Sequence, residues 1–426
     1  MFQIPKKLEW VNDTFNTGQK LGIFKARVTD QQLNGRTVTV NSGKEVIFFG
    51  NCSYLGLEIN PEIQDAAIDA IRRYGTFFSS SRSFIGLDLN EQLEEQFEKI
   101  FERPVNICPT TTLGHISNLP ILVDRKDAII MDVFVHQCVQ TAVALCKSEG
   151  THVEFLRHSQ LDLLEEKINQ LKDKHRNIWY MIDGVYSMFG DGAPMKELEY
   201  LMNKYEQLHV YVDDAHGMSW AGPKGSGYVL SQIKYHEKLF LGASLSKGAG
   251  VGGAVMVYPD RKIKETIKNC GSTMVFSGPM HPSTIVSALK SVEIHLRPDF
   301  GDRQLAIKQR IEYFIKRSRQ LNIPLIGEYL TPIFFIGVGS IENGIMFTTA
   351  LIEAGFFVDI ASFPSVPLKN TGLRITVTNH VSIEDIDSLL VFLSDFITKM
   401  ESEGKFDREE VRKAFAPKVR VPKETY

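Results

Sequence analysis

Several stretches of this 426-residue chain place reactive side chains where a cleft, and not a solvated face, would use them. In KLFLGASLSKGAG, Lys247 follows an apolar run of strand length and opens into glycines, so its amine is presented at a strand end. Ser244 and Ser246 supply small hydroxyls there, and Gly248, Gly250, Gly252 and Gly253 let backbone approach an anion closely. In HVYVDDAHG, Asp213 ends another apolar run and His216 follows in the same loop. A carboxylate buried at such a place is costly without a cation or donor beside it. His136 and Ser187 follow two further runs of the same kind, IIMDVFVH and IWYMIDGVYS. A lysine that can hold an aldehyde, an acid suited to a protonated ring nitrogen, and hydroxyls and glycines suited to a phosphate are the groups that pyridoxal phosphate requires.

The elements that must position these groups alternate. Residues 1 to about 25 read as an N-terminal helix or arm, and RTVTV and EVIFF flank NSGK as a β-hairpin. PEIQDAAIDAIRRYG reads as a helix with Pro61 in its first turn and Gly75 just past its end. EQLEEQFEKIF, LDLLEEKINQLKDK and MKELEYLMNKYEQ are helical patterns. VNIC, AIIMDVFVH, THVEFL, IWYMIDGVY, HVYVDDAHG and KLFLGASLS are strand-length apolar runs between them. Strands alternating with helices imply an α/β fold with a mostly parallel sheet covered on both faces. Ligands in such sheets bind beyond the carboxyl ends of the strands, where the candidate residues lie. After about residue 285, a long helix leads to LTPIFFIGVG, FFVDIASFP, LRITVT and IEDIDSLLVFLSDFITKM, which suggest a smaller α+β domain. The expected divisions are an arm and hairpin at 1–50, a large cofactor-binding domain at 51–290, a small C-terminal domain at 291–400 and a charged tail at 401–426.

Composition narrows the class. Hydrophobic residues make up 43%, charged residues 23%, and the formal net charge is -3, which gives no electrostatic footprint for nucleic acid or an anionic membrane. The five cysteines (Cys52, Cys108, Cys138, Cys146, Cys270) are odd in number and widely spaced. They read as reduced core thiols of a cytoplasmic protein, with no disulfide framework and no metal site. No run has the length of a membrane span, and the N-terminus lacks the apolar stretch of a secretory signal. His115 and Cys138 read as structural, since neither has a partner at metal-ligand spacing.

The order NCSYLGL, GVYSMFGDGAP, VDDAHGMSWAGPKGSG, SLSKGAGVGG, FSGPMHP and FPSVPLKNTGLRITVTNH resembles the α-oxoamine synthases. These are fold-type-I pyridoxal-phosphate transferases, a group that contains 8-amino-7-oxononanoate synthase and serine palmitoyltransferase. The resemblance implies a large domain with a mostly parallel central sheet, a smaller α+β domain, and a homodimer with shared sites. It implies condensation of an amino acid with an acyl thioester carried on CoA or an acyl carrier protein, with decarboxylation, in lipid or biotin biosynthesis. By position, Lys247 resembles the lysine that holds the cofactor and removes the substrate proton, and Asp213 the partner of the ring nitrogen. His216 resembles the residue that bonds the phenolate oxygen with Ser187 nearby, and His136 the histidine stacked on the ring. Ser244, with Thr110, Thr111 and Thr112, would hold phosphate, and Ser277 and Gly278 would approach it from a neighbouring subunit. Arg374 and Asn51 resemble the residues that take the amino acid's carboxylate, a task suited to a guanidinium fork. Arg82 falls where substrate contacts are expected.

Departures from that pattern cluster at the acyl donor. Three threonines replace the usual Ser/Gly/aromatic turn, Phe77 and Phe78 precede the SR segment, and Asn90 stands where many members have histidine. Two other motifs fail on context. DDAH resembles the acidic box of ATPases, but the chain has no GxxxxGK[ST] loop, and GAGVGG is followed by a strand where a dinucleotide site needs a helix. An aminotransferase on the same fold and a non-catalytic partner subunit remain as alternatives. The set Lys247, Asp213 and His216 argues against the second.

Overall fold

A computed structural model describes residues 5–40, 43–363, 365–367 and 369–415. The chain forms two compact units, Leu55–Ser187 with Gly192–Gln304, and Met1–Tyr54 with Met188–Asp191 and Leu305–Tyr426. In chain order the strands are β1 (Thr37–Val40), β2 (Lys44–Phe48), β3 (Val105–Cys108), β4 (Ala128–Asp132), β5 (His152–Leu156), β6 (Ile178–Asp183), β7 (Leu208–Asp213), β8 (Leu239–Ser244), β9 (Ala254–Val257), β10 (Ile333–Gly339), β11 (Phe356–Phe357), β12 (Asp359–Ala361) and β13 (Thr371–Thr376).

The larger unit is built on a seven-stranded sheet in the order β3-β9-β8-β7-β6-β4-β5. β4 to β8 are parallel, and β9 alone runs against both of its neighbours. Every residue of β4, β6 and β8, and all of β7 but His209, is buried, as expected of strands with helices on both faces. β5 lies at the edge, is partly exposed, and carries Glu154 in a pair with Lys167. Helix Pro61–Tyr74 begins and ends as its sequence predicts: the Asn60 side chain caps it, Pro61 opens it, and Gly75 leaves at φ 79°.

The carboxyl ends of β4, β6, β7 and β8 bring Asp132, Asp183, Asp213 and Ser244 to one edge of the sheet. Asp132 is used up locally. It accepts from His158 Nδ1 at 3.0 Å and from the Ser159 and Phe134 amides at 2.9 and 2.8 Å.

Residues 1–54 do not stand apart as an arm; they share a unit with the C-terminal region. β2 pairs with β1 antiparallel and with β11 parallel, and β10-β13-β12 form a second three-stranded sheet. Arg36 grips Asp385 with two hydrogen bonds of 2.8 and 2.6 Å, and Asp385 also closes the capping box of helix Ile383–Ser402 with Ser382. Helix Phe300–Gln320, which follows a loop after the Pro282–His295 helix, is an element the sequence patterns did not single out. The charged tail contributes helix Arg408–Phe415; its continuation and the first residues of the N-terminal arm lie outside the described residues, as do Asn41 and Ser42 of the hairpin turn.

His295 makes a stability prediction. It is fully enclosed, its Nδ1–H donates to the Ser291 carbonyl at 2.7 Å, and its Nε2 accepts from the Ser219 hydroxyl at 2.9 Å. Burial pushes its pKa down to about 4. The unfolded chain therefore takes up a proton before the folded one does, and stability falls with pH below the ordinary histidine range. The stability advantage of the wild type over His295→Asn is expected to shrink by about 2 kcal/mol between about pH 7.5 and about pH 5. Urea unfolding at the two pH values measures it, and a constant difference would contradict the assignment.

Candidate active site

In the larger unit, Asp213 is the centre of the polar cluster. It ends β7 in register with Asp183 of β6 and Gly242 of β8, and is almost fully buried. Its Oδ1 accepts from the Ala215 amide at 3.0 Å. Its Oδ2 receives His115 Nε2 at 3.1 Å and the Cys138 thiol at 3.3 Å. Burial opposes ionisation, but His115, which also bonds the carboxylate, and then Lys247 and His136 outweigh it and hold the carboxyl below its usual range. Asp183 goes the other way. Burial, and then the negative charge of Asp213, push its pKa well up. Two register neighbours are thus split into an ionised Asp213 and a neutral Asp183, the second accepting the His136 amide at 2.9 Å.

His136 lies past the end of β4, at the cap of helix Gln137–Ser148, where its ring accepts from the Cys138 amide at 3.3 Å. Its position is set by a helix start and not by a strand end, as the apolar run suggested. Burial lowers its pKa, so the imidazole is neutral at neutral pH, with Asp213 acting against that shift and Lys247 adding to it. Lys247 is half-buried in the turn after β8. Its charge is felt by Asp213, Asp183 and His136 alike. The turn needs Gly250, at φ 70°, because a Cβ there would lie 2.5 Å from the Glu58 amide nitrogen. His216 is buried in the turn after Asp213, and Ser187 is half-buried four residues beyond β6.

Of the pair DD in the sequence, only Asp213 joins the cluster. Asp214 points into a nest of glycines, where a Cβ on Gly184, Gly217 or Gly227 would come within 2.1 to 2.3 Å of its carboxylate, and it accepts the Val229 amide at 3.1 Å. Its pKa is raised by burial.

The three threonines open helix Thr111–Leu122. Thr110 caps it by accepting the Leu113 amide at 3.2 Å, so its hydroxyl is occupied while the helix N-terminus still presents amides. Ser244 is buried and accepts the Ser246 amide at 3.2 Å. Ser277 and Gly278 lie beside Arg82, Pro279 and Met280 around a small cavity of about 20 Å³. Arg82 itself is committed to carboxylates, at 3.0 Å from Glu94 and 3.2 Å from Glu91, in a cluster completed by Lys264, Lys268 and Glu98. Arg82 Nη1 is buried with no hydrogen-bond partner among the described residues, so these ion pairs hold only part of the guanidinium.

His115 and Cys138, read from the sequence as structural, both touch Asp213, and the ligand atoms of the three lie within 4.8 Å of one another. Sequence gave one usable sign: polar His115 and Asn118, one turn apart, interrupt an otherwise apolar helix. The cysteines are free thiols, but Cys270 is exposed and Cys52 half-buried, so not all of them are core residues.

In the other unit, Arg374 on β13 is buried beside Asp359 of β12, with Nη1 at 3.3 Å from Asp359 Oδ2 and Nη2 at 3.6 Å from Cys52 Sγ. Asn51 Oδ1 accepts the Ser53 amide at 2.9 Å. A pocket of about 420 Å³ in this unit is lined by Phe15, Phe24, Val38, Phe48 and Phe357, with Asp359 at its edge. It is larger than the small cavity beside Ser277, yet its lining includes none of Lys247, Asp213, His136 and His216, so cavity size alone does not locate the chemistry.

Residues 44–393 match the family model for class I and II aminotransferases. The 8-amino-7-oxononanoate synthase of Herminiimonas arsenicoxydans is 30% identical over 384 residues, 88% of this chain and 96% of that one. The chain belongs to the class I and II aminotransferase family, on its α-oxoamine synthase branch. The 8-amino-7-oxononanoate synthase of Thermoanaerobacter pseudethanolicus is 28% identical over 388 residues, covering 90% of this α-oxoamine synthase and 95% of the relative. The fold is that of the serine palmitoyltransferase of Sphingomonas wittichii, with a TM-score of 0.85 at 20% identity over 95% of this chain and 100% of that one. The 8-amino-7-oxononanoate synthase of Francisella tularensis superposes with a TM-score of 0.70 at 21% identity, over 84% and 99% of the two chains.

The cofactor of this α-oxoamine synthase is pyridoxal phosphate, and the residues present fit it. An ionised acid is buried at a strand end within reach of a lysine's charge, beside a neutral histidine and a threonine-capped helix N-terminus. Among the described residues, no helix is long and apolar enough to cross a membrane.

Proposed function

We propose that this α-oxoamine synthase condenses an amino acid with an acyl thioester and releases the thiol, CO2 and an α-amino ketone. The observation that carries the reading is Asp213, which stays ionised although buried, under the charge of Lys247 and beside a neutral Asp183. Pyridoxal phosphate supplies an aldehyde that captures amines and a ring that draws electron density from a bond breaking at the substrate Cα. Asp213 keeps the proton on the ring nitrogen, and neutral His136 offers an uncharged face for the ring. His216 and Ser187 serve the phenolate side. The phosphate is received by Ser244, by Thr110, Thr111 and Thr112, and by the amides of their helix. Lys247 Nζ would hold the aldehyde of the cofactor and, as a free amine, would take the proton from the substrate Cα. The new Cα–acyl bond forms as the C–S bond breaks, the carboxyl leaves as CO2, and a proton returns to Cα. Arg82, paired with Glu91 and Glu94 but with Nη1 lacking a hydrogen-bond partner among the described residues, stays on the substrate side in this reading.

Arg374 and Asn51 take the amino acid's carboxylate in this reading. The guanidinium fork of Arg374, with Nη1 at 3.3 Å from Asp359 Oδ2, is a donor set suited to a carboxylate. Arg374→Ala would leave Asp359 without its guanidinium partner, so Arg374→Lys is the cleaner test. It keeps the charge, loses the fork, and is expected to raise the amino-acid KM about 10- to 100-fold with cofactor affinity unchanged. An unchanged KM in steady-state assays would remove Arg374 from the carboxylate site.

The reading includes a homodimer in which Ser277 and Gly278 serve the partner's phosphate. Phe84 and Phe276 are 86% and 89% exposed, Phe77 and Ile85 more than half so, and their segments are stitched together where Ser81 Oγ donates to the Val275 carbonyl at 2.6 Å. An apolar strip of that kind beside the two residues suits burial against a second copy. A solution mass of one chain by light scattering would overturn the dimer. The reading also places the enzyme in the cytoplasm, where its free thiols stay reduced, and recovery in an oxidising compartment would contradict it.

Titration with amino acids and acyl thioesters, followed by free-thiol release, tests the proposed activity. Thiol release only when both substrates are present supports it; amino-group transfer from the amino acid alone would favour an aminotransferase.

A further inference from the structure

We infer that His115 is a positioning residue for Asp213, the last donor in a one-way chain of buried hydrogen bonds that runs Asn106, Tyr258, Asn118, Tyr211, His115 and ends on the Asp213 carboxylate. The inference rests on the reading of Asp213 as partner of the cofactor's ring nitrogen.

The inner links are short, and one assignment of protons points every donor the same way. An ionised carboxylate only accepts, so His115 Nε2, at 3.1 Å from Asp213 Oδ2, carries the hydrogen. Nδ1 can then accept, and the Tyr211 hydroxyl lies 2.8 Å from it. Tyr211, having given its hydrogen to His115, can accept, and Asn118 Nδ2 faces its oxygen at 3.5 Å. Asn118 Oδ1 in turn receives the Tyr258 hydroxyl at 3.0 Å, and Asn106 Nδ2 reaches Tyr258 at 3.4 Å. The 3.4 and 3.5 Å links are at the limit of a hydrogen bond, so the weight falls on Tyr211 and His115. Every donor faces the same way, the arrangement in which successive bonds polarise one another toward the acceptor.

The fold is shaped to hold this imidazole. Tyr211 and Asp213 are two residues apart on β7 and therefore share one face of the sheet, where they bracket the His115 ring. Gly242, the register partner of Asp213 on β8, clears the space beneath: a Cβ there would lie 2.8 Å from His115 Cε1. Gly114 does the same against β9, where a Cβ would meet Met256 Sδ at 2.6 Å. His115, Asn106, Asn118, Tyr211 and Tyr258 are all buried. The other groups facing Asp213 are the Cys138 thiol and the Ala215 amide in contact, the charge of Lys247, and the titratable His136 and Asp183 nearby. Burial pushes the Cys138 thiol far up, so it remains protonated and cannot replace a charged or strongly polarised donor.

Burial acts to protonate Asp213, and His115 is the foremost group opposing it. Without His115 the carboxyl takes up a proton as pH falls, and a protonated Asp213 no longer holds the ring nitrogen's proton. The readout is the dissociation constant of pyridoxal phosphate from the apoenzyme, followed by absorbance across pH without any substrate. From about pH 8 to about pH 6, His115→Phe is expected to lose at least about tenfold more affinity than the wild type. His115→Gln, which keeps an N–H donor, restores most of it. Asp213→Asn serves as the control. If it weakens cofactor binding while His115→Phe follows the wild-type profile, the inference is wrong and the reading of Asp213 stands. If Asp213→Asn changes nothing, that reading fails and takes the inference with it. Should His115→Phe not fold, Tyr211→Phe removes one oxygen and is expected to shift the same profile in the same direction, by about twofold or more; no shift would overturn the inference.

Discussion

Lys247→Ala is expected to abolish cofactor attachment and to cut turnover by at least about ten-thousandfold, the upper range for removing a positioned acid–base group. The protein should still fold. Lys247 is half-buried in a turn whose geometry is set by Gly250 and by the Gly250 amide donating to the Lys247 carbonyl at 3.0 Å, a bond that alanine keeps. Soluble pyridoxal phosphate would still enter, because Ser244, the threonine-capped helix and Asp213 are untouched, but borohydride would no longer fix it to the chain. Absorbance before and after borohydride, with mass spectrometry of the intact protein, separates the two cases. A variant that kept covalent attachment would move the attachment to another lysine.

Asp213→Asn is the second large effect, expected to lower kcat by about 100- to 1000-fold, as for loss of a buried electrostatic partner. The near-isosteric amide preserves the Ala215 contact but cannot carry the negative charge. Asp183→Asn makes the informative comparison. Asp183 is already neutral, and an amide oxygen can accept the His136 amide as its carboxyl does, so less than about a tenfold change is expected. Equal losses from the two substitutions, measured by steady-state kinetics, would mean that the split between these neighbours is not the one described.

The strand ends were legible because an acid or hydroxyl closing a wholly apolar run is unusual and physically costly, which marked Asp213 and Ser244 from the sequence. Lys247 was legible for a similar reason, being a charged residue between an apolar run and glycines. The sequence did not say which of Asp213 and Asp214 faces the cluster. That depends on three glycines at 184, 217 and 227, which crowd around Asp214 from separate turns. His115 was set aside because its partners, Tyr211 and Asp213, lie almost a hundred residues away and meet it only when β7 packs beneath helix Thr111–Leu122. The ion pairs of Arg82 were not legible because its partners, Glu91 and Glu94, read as ordinary surface residues of a helix whose buried face only the packing reveals. The placing of residues 1–54 with the C-terminal region follows from the pairing of β2 with β11, a contact that hydrophobic periodicity does not encode.

The central claim is an acyl transfer that needs the amino acid and the thioester together. The most direct measurement is a matrix of amino acids against acyl thioesters of graded length, on CoA and on an acyl carrier protein, scored for free thiol, CO2 and the ketone by mass spectrometry. The account predicts equal amounts of thiol, CO2 and α-amino ketone in at least one pairing, and none from either substrate alone. Keto acid formed from an amino acid without any thioester, with no thiol released in any pairing, would contradict it.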